Sequence, residues 1–235
     1  MKIVNIEAVD IPDFWFQAIS NLLDYGYKYV VQKGSFEGET RLEFDYLVGY
    51  IKHPYTQPYD LMLPQIPHHL GIPNPVANGY IEDYLPYLMT DIVKDGEEYT
   101  YGQRLVNSYV PGNLLKFSCN IDQIKHFIKI LKETPNTNQA ILQIAQPSDC
   151  LLSDPPCLRS IKLRIKDNQL IVYPYFRSND LFSGTPANLA AIAVLQKYLA
   201  DEIGVESGPM IYSSDGAHIY GYTEQLARLR CYKEK

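Results

Sequence analysis

The sequence is poor in cysteine and has no pair of cysteines at the spacing of a metal site. None of its four cysteines, at Cys119, Cys150, Cys157 and Cys231, forms a CxxC pair. This spacing excludes a zinc ribbon or a CxxC redox centre, and the small number argues against a disulfide-built scaffold. We therefore expect no metal, a reduced cytoplasmic setting, and free thiols that are available for chemistry.

Long apolar runs and an excess of positive charge are also missing. No stretch approaches the roughly 20 apolar residues that span a bilayer, and the first ten residues resemble no signal peptide. The 27 acidic residues outnumber the 21 Lys and Arg, which gives a net charge of −6. Nucleic-acid binding needs a basic surface to neutralise phosphates, so we expect neither a nucleic-acid nor a membrane partner. One or two arginines would still suffice for a small anionic ligand.

The hydrophobic content is high enough for a sizeable core. Hydrophobic residues make up 46% of the chain, and the sequence has neither repeats nor a low-complexity linker. We therefore predict one domain over residues 1–235. Apolar spacing, caps and prolines predict an irregular alternation of helices and strands, which indicates an α/β or α+β fold with a mixed sheet. The predicted helices cover 13–24, 80–93, 122–132, 186–203 and 223–230, and the predicted strands cover 27–32, 42–51, 140–145, 210–212 and a long hairpin over 158–176.

The first unusual segment is Asp154-Pro155-Pro156-Cys157. Two prolines restrict the backbone just before a cysteine that opens a predicted strand, so the thiol is held in a fixed place. A nucleophilic thiol needs such a place and a nearby cation that favours the thiolate. A buried structural cysteine after a rigid turn is the alternative, and the local sequence leaves it open.

The second unusual segment runs from Arg177 to Asn188. It passes from a strand end through a polar loop that contains Gly184 and enters the strongest predicted helix. Arg177 and Ser178 suit a phosphate by charge and by hydroxyl donation. Asn188 lies in the first turn of the helix, where its amide either caps the helix or contacts the edge of a base. The alternative, which stays open, is that these residues only shape the loop and cap the helix.

Three motifs in register resemble the thymidylate synthase family, most closely its compact archaeal-type branch. They are Pro155-Pro156-Cys157, the pattern R-S-x-D-x-x-x-G-x-P-x-N over 177–188, and His218-Ile219-Tyr220. The intervals between the motifs agree with the family without gaps. The resemblance covers roughly residues 95–230 and implies a mixed sheet with a long hairpin, packed with helices.

This resemblance implies a role for each matching residue on the nucleotide side. Cys157 would add to C6 of a uracil nucleotide, and Arg177 would bind the phosphate and lower the pKa of that thiol. Ser178 would be a second phosphate contact. Asn188 would face the base, because an amide donates to O4 and accepts from N3–H together. Relatives that act on cytosine have an aspartate there, so Asn188 indicates uracil.

Further matches complete the implied site. His218 and Tyr220 match the pair that holds the sugar 3′-hydroxyl. Asp180 matches the residue that bonds the pterin ring, and Gly184 the backbone that approaches the base. Tyr101, in a Y-G-x-x-x-R segment, matches the tyrosine of the water network that removes the C5 proton.

One catalytic residue is matched only loosely. The family uses a glutamate to assist protonation at O4. Glu82, in Ile81-Glu82-Asp83-Tyr84-Leu85, resembles that residue by its place at the start of a predicted helix. A solvated carboxylate at a helix start is the open alternative.

The sequence departs from the family at the phosphate. The partner subunit of family members supplies two arginines from a segment that reads Thr137-Asn138-Gln139 here. A phosphate monoester carries about −1.5 to −2 charge, so one guanidinium rarely satisfies it. We expect Arg41 to be the second cation, because a Gly-flanked turn lets its side chain reach across a cleft. Arg104 is the second choice, and a structural role beside Tyr101 suits it better.

The resemblance implies conversion of dUMP to dTMP by a homodimer, through a covalent adduct of Cys157. The one-carbon donor would be methylenetetrahydrofolate or a methanopterin-type analogue. The chain ends at Lys235, soon after His218-Ile219-Tyr220, whereas members continue into a segment that closes over the folate. The departures therefore fall mainly on the donor side. Two alternatives stay open: a pyrimidine nucleotide hydroxymethylase, in which water traps the exocyclic methylene, and an idle nucleotide-binding member of the family.

Overall fold

The structure is a computed structural model that describes residues 2–34, 36–110 and 118–233. Two of the predictions fall partly outside the described residues. The turn predicted at 33–40 contains Ser35, and the predicted domain begins at Met1 and ends with Glu234 and Lys235. The strands are β1 (Ile3–Ala8), β2 (Tyr27–Val30), β3 (Thr40–Glu43), β4 (Tyr46–Ile51), β5 (Ser108–Val110), β6 (Cys119–Ile121), β7 (Ile141–Gln143), β8 (Leu158–Lys166), β9 (Gln169–Phe176), β10 (Asn179–Asp180), β11 (Glu206–Ser214) and β12 (Ala217–Tyr220). The helices are α1 (Ile11–Tyr25), α2 (Tyr80–Met89), α3 (Tyr101–Val106), α4 (Gln123–Glu133), α5 (Gly184–Ile203) and α6 (Gly221–Arg230).

A six-stranded mixed sheet forms the centre of the fold, in the order β1-β4-β11-β9-β8-β7. β1 and β4 are parallel, as are β11 and β9, and the other neighbours are antiparallel. The α/β class and the mixed sheet expected from the sequence are confirmed. None of the helices in the described ranges is long and apolar enough to cross a membrane.

The β8–β9 hairpin positions the first half of the site. Asp167 and Asn168 form its turn with φ of 51° and 59°, a left-handed pair that Asp and Asn tolerate well. The hairpin register places Leu158 opposite Phe176 at the open end. The peptide N–H of Arg177 therefore donates to the carbonyl of Cys157 at 2.9 Å. A turn ten residues away thus brings the thiol and the arginine together.

Helix α5 positions the second half of the site. It is buried along most of its length and ends at Ile203, where Gly204 caps it with a φ of 90° that only glycine adopts readily. The loop before the helix is fixed by the buried Trp15, whose indole N–H donates to the carbonyl of Phe182 at 3.0 Å. The start of α5 therefore faces the open end of the hairpin.

A smaller sheet, in the order β10-β12-β3-β2, closes the site. Its register pairs Tyr220 with Arg41, and Asp180 with His218. The predicted single strand over 42–51 was wrong, because the chain leaves this sheet after Glu43 and enters the large sheet at Tyr46. Strands β10 and β12 are short and formed by long-range pairing, so no local pattern predicts them.

Candidate active site

A cleft of about 400 Å³ lies between the hairpin, the start of α5 and the small sheet. All predicted site residues except Glu82 line it. They come from five separate parts of the chain, which the fold brings together at one place. These residues are Arg41, Tyr101, Cys157, Arg177, Ser178, Asp180, Gly184, Asn188, His218 and Tyr220.

Cys157 is a partly buried free thiol directly before β8. Burial raises the pKa of this thiol above its ordinary value, since a thiolate is poorly solvated there. The positive charge of Arg177 lowers the pKa, and the negative charge of Asp154 raises it. The expected effect of Arg177 is therefore present, but burial outweighs it. The thiol therefore forms a thiolate readily only when further positive charge or a changed environment lowers its pKa.

Arg177 lies against the two prolines that precede the thiol. Its Nε donates to the carbonyl of Pro156 at 3.1 Å, and its Nη2 donates to the carbonyl of Pro155. Nη2 also lies 3.5 Å from a carboxylate oxygen of Asp154. Within the described part of the chain Nη1 has no partner, so the guanidinium can still bind an anion in the cleft. Arg177 thus holds the Pro-Pro-Cys segment in place and keeps a donor for a ligand.

Tyr101 lies beside the thiol at the start of α3, a helix that Thr100 caps by accepting from the N–H of Gln103 at 3.0 Å. The Tyr101 hydroxyl oxygen accepts from the peptide N–H of Leu158 at 3.3 Å. Burial raises the pKa of Tyr101 well above its ordinary value. The phenol therefore stays protonated and offers its own hydrogen to the cleft.

Asn188 faces the cleft from the second turn of α5, and its partner comes from α2. The hydroxyl of Tyr84 donates to Oδ1 of Asn188 at 3.0 Å. Glu82, two residues earlier on α2, is exposed and is not among the residues that line the cleft. A helix turns by about 200° over two residues, so the two side chains point to opposite sides. Sequence reasoning missed Tyr84, although the spacing of Tyr80, Tyr84 and Tyr87 marks one helix face.

His218 offers a hydrogen-bond acceptor to the cleft. Its Nδ1 lies 2.8 Å from the carbonyl of Gly216, and a carbonyl only accepts, so Nδ1 carries the proton. Burial lowers the pKa of His218 to about 4, and the ring is therefore neutral at ordinary pH. Nε2 is buried and has no partner among the described residues. A neutral Nε2 accepts from a hydroxyl and does not bind a phosphate.

Arg41 and Lys33 add positive charge to the cleft. Nη2 of Arg41 donates to the Tyr220 hydroxyl at 2.8 Å, which leaves the hydroxyl hydrogen for a ligand. Lys33, which sequence reasoning missed, precedes Gly34 in the predicted polar turn, and that position was the available signal. Arg104 does not line the cleft: its Nη1 pairs with buried Asp149 at 2.6 Å.

Asp180 separates this cleft from a second cavity of about 460 Å³ and lines both. Its carboxylate accepts backbone N–H groups of Phe182, Ser183 and Gly184 at 2.9, 3.3 and 3.4 Å. Burial raises its pKa above the ordinary value, although these donors lower it. The contacts fix the loop that leads into α5. The second cavity is lined by Pro75, Val76, Ala77, Tyr80, Tyr84, Asp180, Ser183, Gly184, Ala187 and Asn188.

Sequence comparison places these residues in a known family. The model of the family described as thymidylate synthase matches residues 90–234. Two proteins named "Putative thymidylate synthase", from Methanosarcina barkeri and Methanococcoides burtonii, are each 29% identical, over 92% of this chain and 89% of their own length. The thymidylate synthase of Listeria monocytogenes is 34% identical over 114 residues, 46% of this chain and 36% of its own length. Because the family model matches more than half of the chain, this protein belongs to the thymidylate synthase family.

Proposed function

We propose that this protein is a thymidylate synthase that methylates C5 of dUMP. Members of this family are methyltransferase-type enzymes that bind dUMP and use a methylene-folate type donor. The observation that carries the proposal is one cleft that holds a thiol, a side-chain amide and two arginines, Cys157, Asn188, Arg177 and Arg41. Each group supplies a function that the reaction requires.

The cleft provides a contact for each part of the nucleotide. Arg177, Arg41 and Lys33 supply positive charge for the phosphate, and Ser178 a hydroxyl donor. Nε2 of His218 accepts from the sugar 3′-hydroxyl, and Tyr220 donates to the same hydroxyl. Neutral His218 suits a hydroxyl and would be a poor phosphate ligand, so the sugar lies at that end of the cleft.

The thiol and the amide carry the first chemical step. The ionised Sγ of Cys157, the thiolate, forms a bond to C6, the electrons of the C5–C6 double bond move toward O4, and C5 becomes nucleophilic. Asn188 Nδ2 donates to O4 as negative charge develops there. We assign Tyr101 to the hydrogen-bonded path that removes the C5 proton, because its hydroxyl contacts the peptide N–H of Leu158, the residue directly after the thiol.

The second cavity fits a reduced pterin donor. A flat, partly polar ring needs apolar and aromatic walls with a few polar groups, and this cavity offers both, with the Asp180 carboxylate at its boundary. When bound, the donor supplies the methylene carbon and the hydride. Asp180 and Gly184 lie between the two cavities, where they would hold the ring against the base. Methylenetetrahydrofolate and a methanopterin-type analogue are both candidates.

Product identification tests this proposal. The protein is incubated with dUMP and methylenetetrahydrofolate, and in parallel with a methylene-methanopterin, and the nucleotide product is identified by mass. We expect dTMP with at least one donor and no product from Cys157→Ser. Release of hydroxymethyl-dUMP would instead identify a hydroxymethylase. Binding of dUMP without any turnover would identify an idle member of the family.

A further inference from the structure

Tyr84 is the side chain of α2 that reaches the base-reading amide. Its hydroxyl donates to Asn188 Oδ1 at 3.0 Å, and its ring lies in a stack with Tyr80 and Tyr87. The ring centroids are 5.8 and 6.2 Å apart, with interplanar angles of 18° and 17°. The stack therefore fixes the ring, and the fixed ring fixes the place of the hydroxyl.

An amide side chain presents two different edges, so its orientation decides which base it reads. With Oδ1 accepting from Tyr84, one lone pair of that oxygen and the Nδ2 group remain for the cleft. Uracil offers an acceptor at O4 and a donor at N3–H, which this arrangement matches. Cytosine offers a donor at N4 and an acceptor at N3, which requires the amide to rotate by half a turn.

Rotation of the amide would cost the Tyr84 hydroxyl its acceptor. Nδ2 of Asn188 would then face the hydroxyl and donate to its oxygen, but the hydroxyl hydrogen would lose its acceptor, because an amide nitrogen does not accept a hydrogen bond. The phenol cannot adapt by ionising, because burial raises the pKa of Tyr84 and keeps the proton on the oxygen. With a base in the cleft, the hydroxyl hydrogen is left without a partner in a partly buried place, which is unfavourable.

We propose that Tyr84 is a specificity-determining positioning residue, which holds the Asn188 amide in the orientation that reads uracil and rejects cytosine. This inference rests on the proposed function, because it concerns the pyrimidine that enters the cleft. Tyr84 acts through Asn188 and need not touch the base. The exposed Glu82 of the same helix has no part in this contact.

The test compares Tyr84→Phe with Tyr87→Phe. Phenylalanine keeps the ring stack in both variants, and the Tyr87 hydroxyl lies away from the cleft, beside Lys94. Dissociation constants for dUMP and dCMP are measured by calorimetry, with displacement of dUMP for weak ligands. We expect the preference for dUMP to fall roughly tenfold in Tyr84→Phe, which corresponds to about 1.4 kcal/mol, and to stay unchanged in Tyr87→Phe.

A double-mutant cycle separates positioning from a general structural effect. In an Asn188→Ala background, Tyr84→Phe should leave the ratio of the two dissociation constants unchanged, because no amide remains to be oriented. An unchanged ratio in the single Tyr84→Phe variant, or an equal weakening of both nucleotides, would overturn the inference and leave the proposed function intact. A parent protein that binds neither nucleotide would overturn the proposed function, and the inference with it.

Discussion

At the scale of single residues, two opposite charges flank the Cys157 thiol. Arg177 lowers its pKa and Asp154 raises it, and burial has the largest effect of the three. The two charged residues also pair with each other at 3.5 Å. A phosphate that engages Arg177 would compete with Asp154 for the same guanidinium. We therefore expect the ionisation of the thiol to depend on whether Arg177 binds a phosphate.

Alkylation of Cys157 tests this balance. Asp154→Asn removes a negative charge, so the thiolate fraction at pH 8 and the rate with iodoacetamide should rise severalfold. Arg177→Gln removes the positive charge and should lower the rate. Because the pKa is raised, the rate in the parent should still be rising as pH passes the ordinary value of a free thiol.

Peptide mapping follows Cys157 separately from the other thiols, and the exposed Cys150 serves as the internal reference. If Asp154→Asn and Arg177→Gln changed the alkylation rate of Cys157 in the same direction, the electrostatic account would be contradicted.

The phosphate contacts give a second prediction at this scale. Arg41→Ala should weaken dUMP binding roughly tenfold or more, about the 1.5–3 kcal/mol of a charge-assisted hydrogen bond. Lys33→Ala should weaken it less, since an exposed ammonium gains little from pairing. Lys28→Ala is the matched control, because Lys28 pairs with Glu224 and does not line the cleft.

Binding of deoxyuridine distinguishes the contribution of the phosphate to affinity from that of the rest of the ligand. Deoxyuridine should bind Arg41→Ala and the parent alike, since it lacks the phosphate that we propose Arg41 contacts. Normal dUMP affinity in Arg41→Ala would place the second cation elsewhere.

At the scale of elements, the start of α5 holds Gly184 and Asn188, the two residues that we propose lie against the base. A Cβ at Gly184 would have its nearest contacts at 3.5 Å and would lie 3.9 Å from Asn188 Nδ2. The folded protein thus has room for alanine, but the added methyl group would occupy space beside the Asn188 amide, which we propose faces the base. Gly184→Ala should therefore leave the free energy of unfolding unchanged or slightly higher and weaken dUMP binding.

Gly204→Ala is the opposite case. Its φ of 90° strains an alanine, so this variant should lose about 1–2 kcal/mol of stability and bind dUMP normally. Thermal unfolding and calorimetry measure both effects. A lower free energy of unfolding together with normal dUMP binding in Gly184→Ala would refute the role that we assign to Gly184.

The elements also show how far the sequence could predict the site. The hairpin and α5 were predictable because their signals are local: Asp167 and Asn168 in the turn, and Gly204 at the helix end. The small sheet was not, because β10 and β12 owe their form to partners far along the chain. Glu82 does not line the cleft, because another face of α2 meets Asn188, and only the packing of α2 shows which face that is.

At the scale of the whole molecule, one hydrophobic core joins the two ends of the sequence. It extends from Val4 to Ala227 and includes all strands of the large sheet. We therefore propose a single domain over 1–235. Helices α1 and α5 cover one face of this sheet, as the contact of Phe14 with Tyr212 at 5.2 Å illustrates. The other face carries half-buried or exposed side chains that include Tyr46, Tyr50, Ile171, Tyr173, Tyr175 and Ile211.

This aromatic face is where we expect a second copy to bind. Light scattering should give about twice the chain mass, and Ile171→Asp should give a monomer, because a buried unpaired charge is unfavourable. Tyr198→Asp, on the exposed side of α5, should remain a dimer. The partner should contribute no arginine to the phosphate. A fully active monomer would contradict this expectation.

The central claim is that Cys157 attacks a uracil nucleotide, and release of tritium from C5-labelled dUMP tests it most directly. The label leaves C5 only after a nucleophile has added at C6, so the assay reports the covalent step. We predict release by the parent protein in the presence of its pterin donor, and none by Cys157→Ser, which should still fold and bind dUMP. Substantial release by Cys157→Ser would contradict the account.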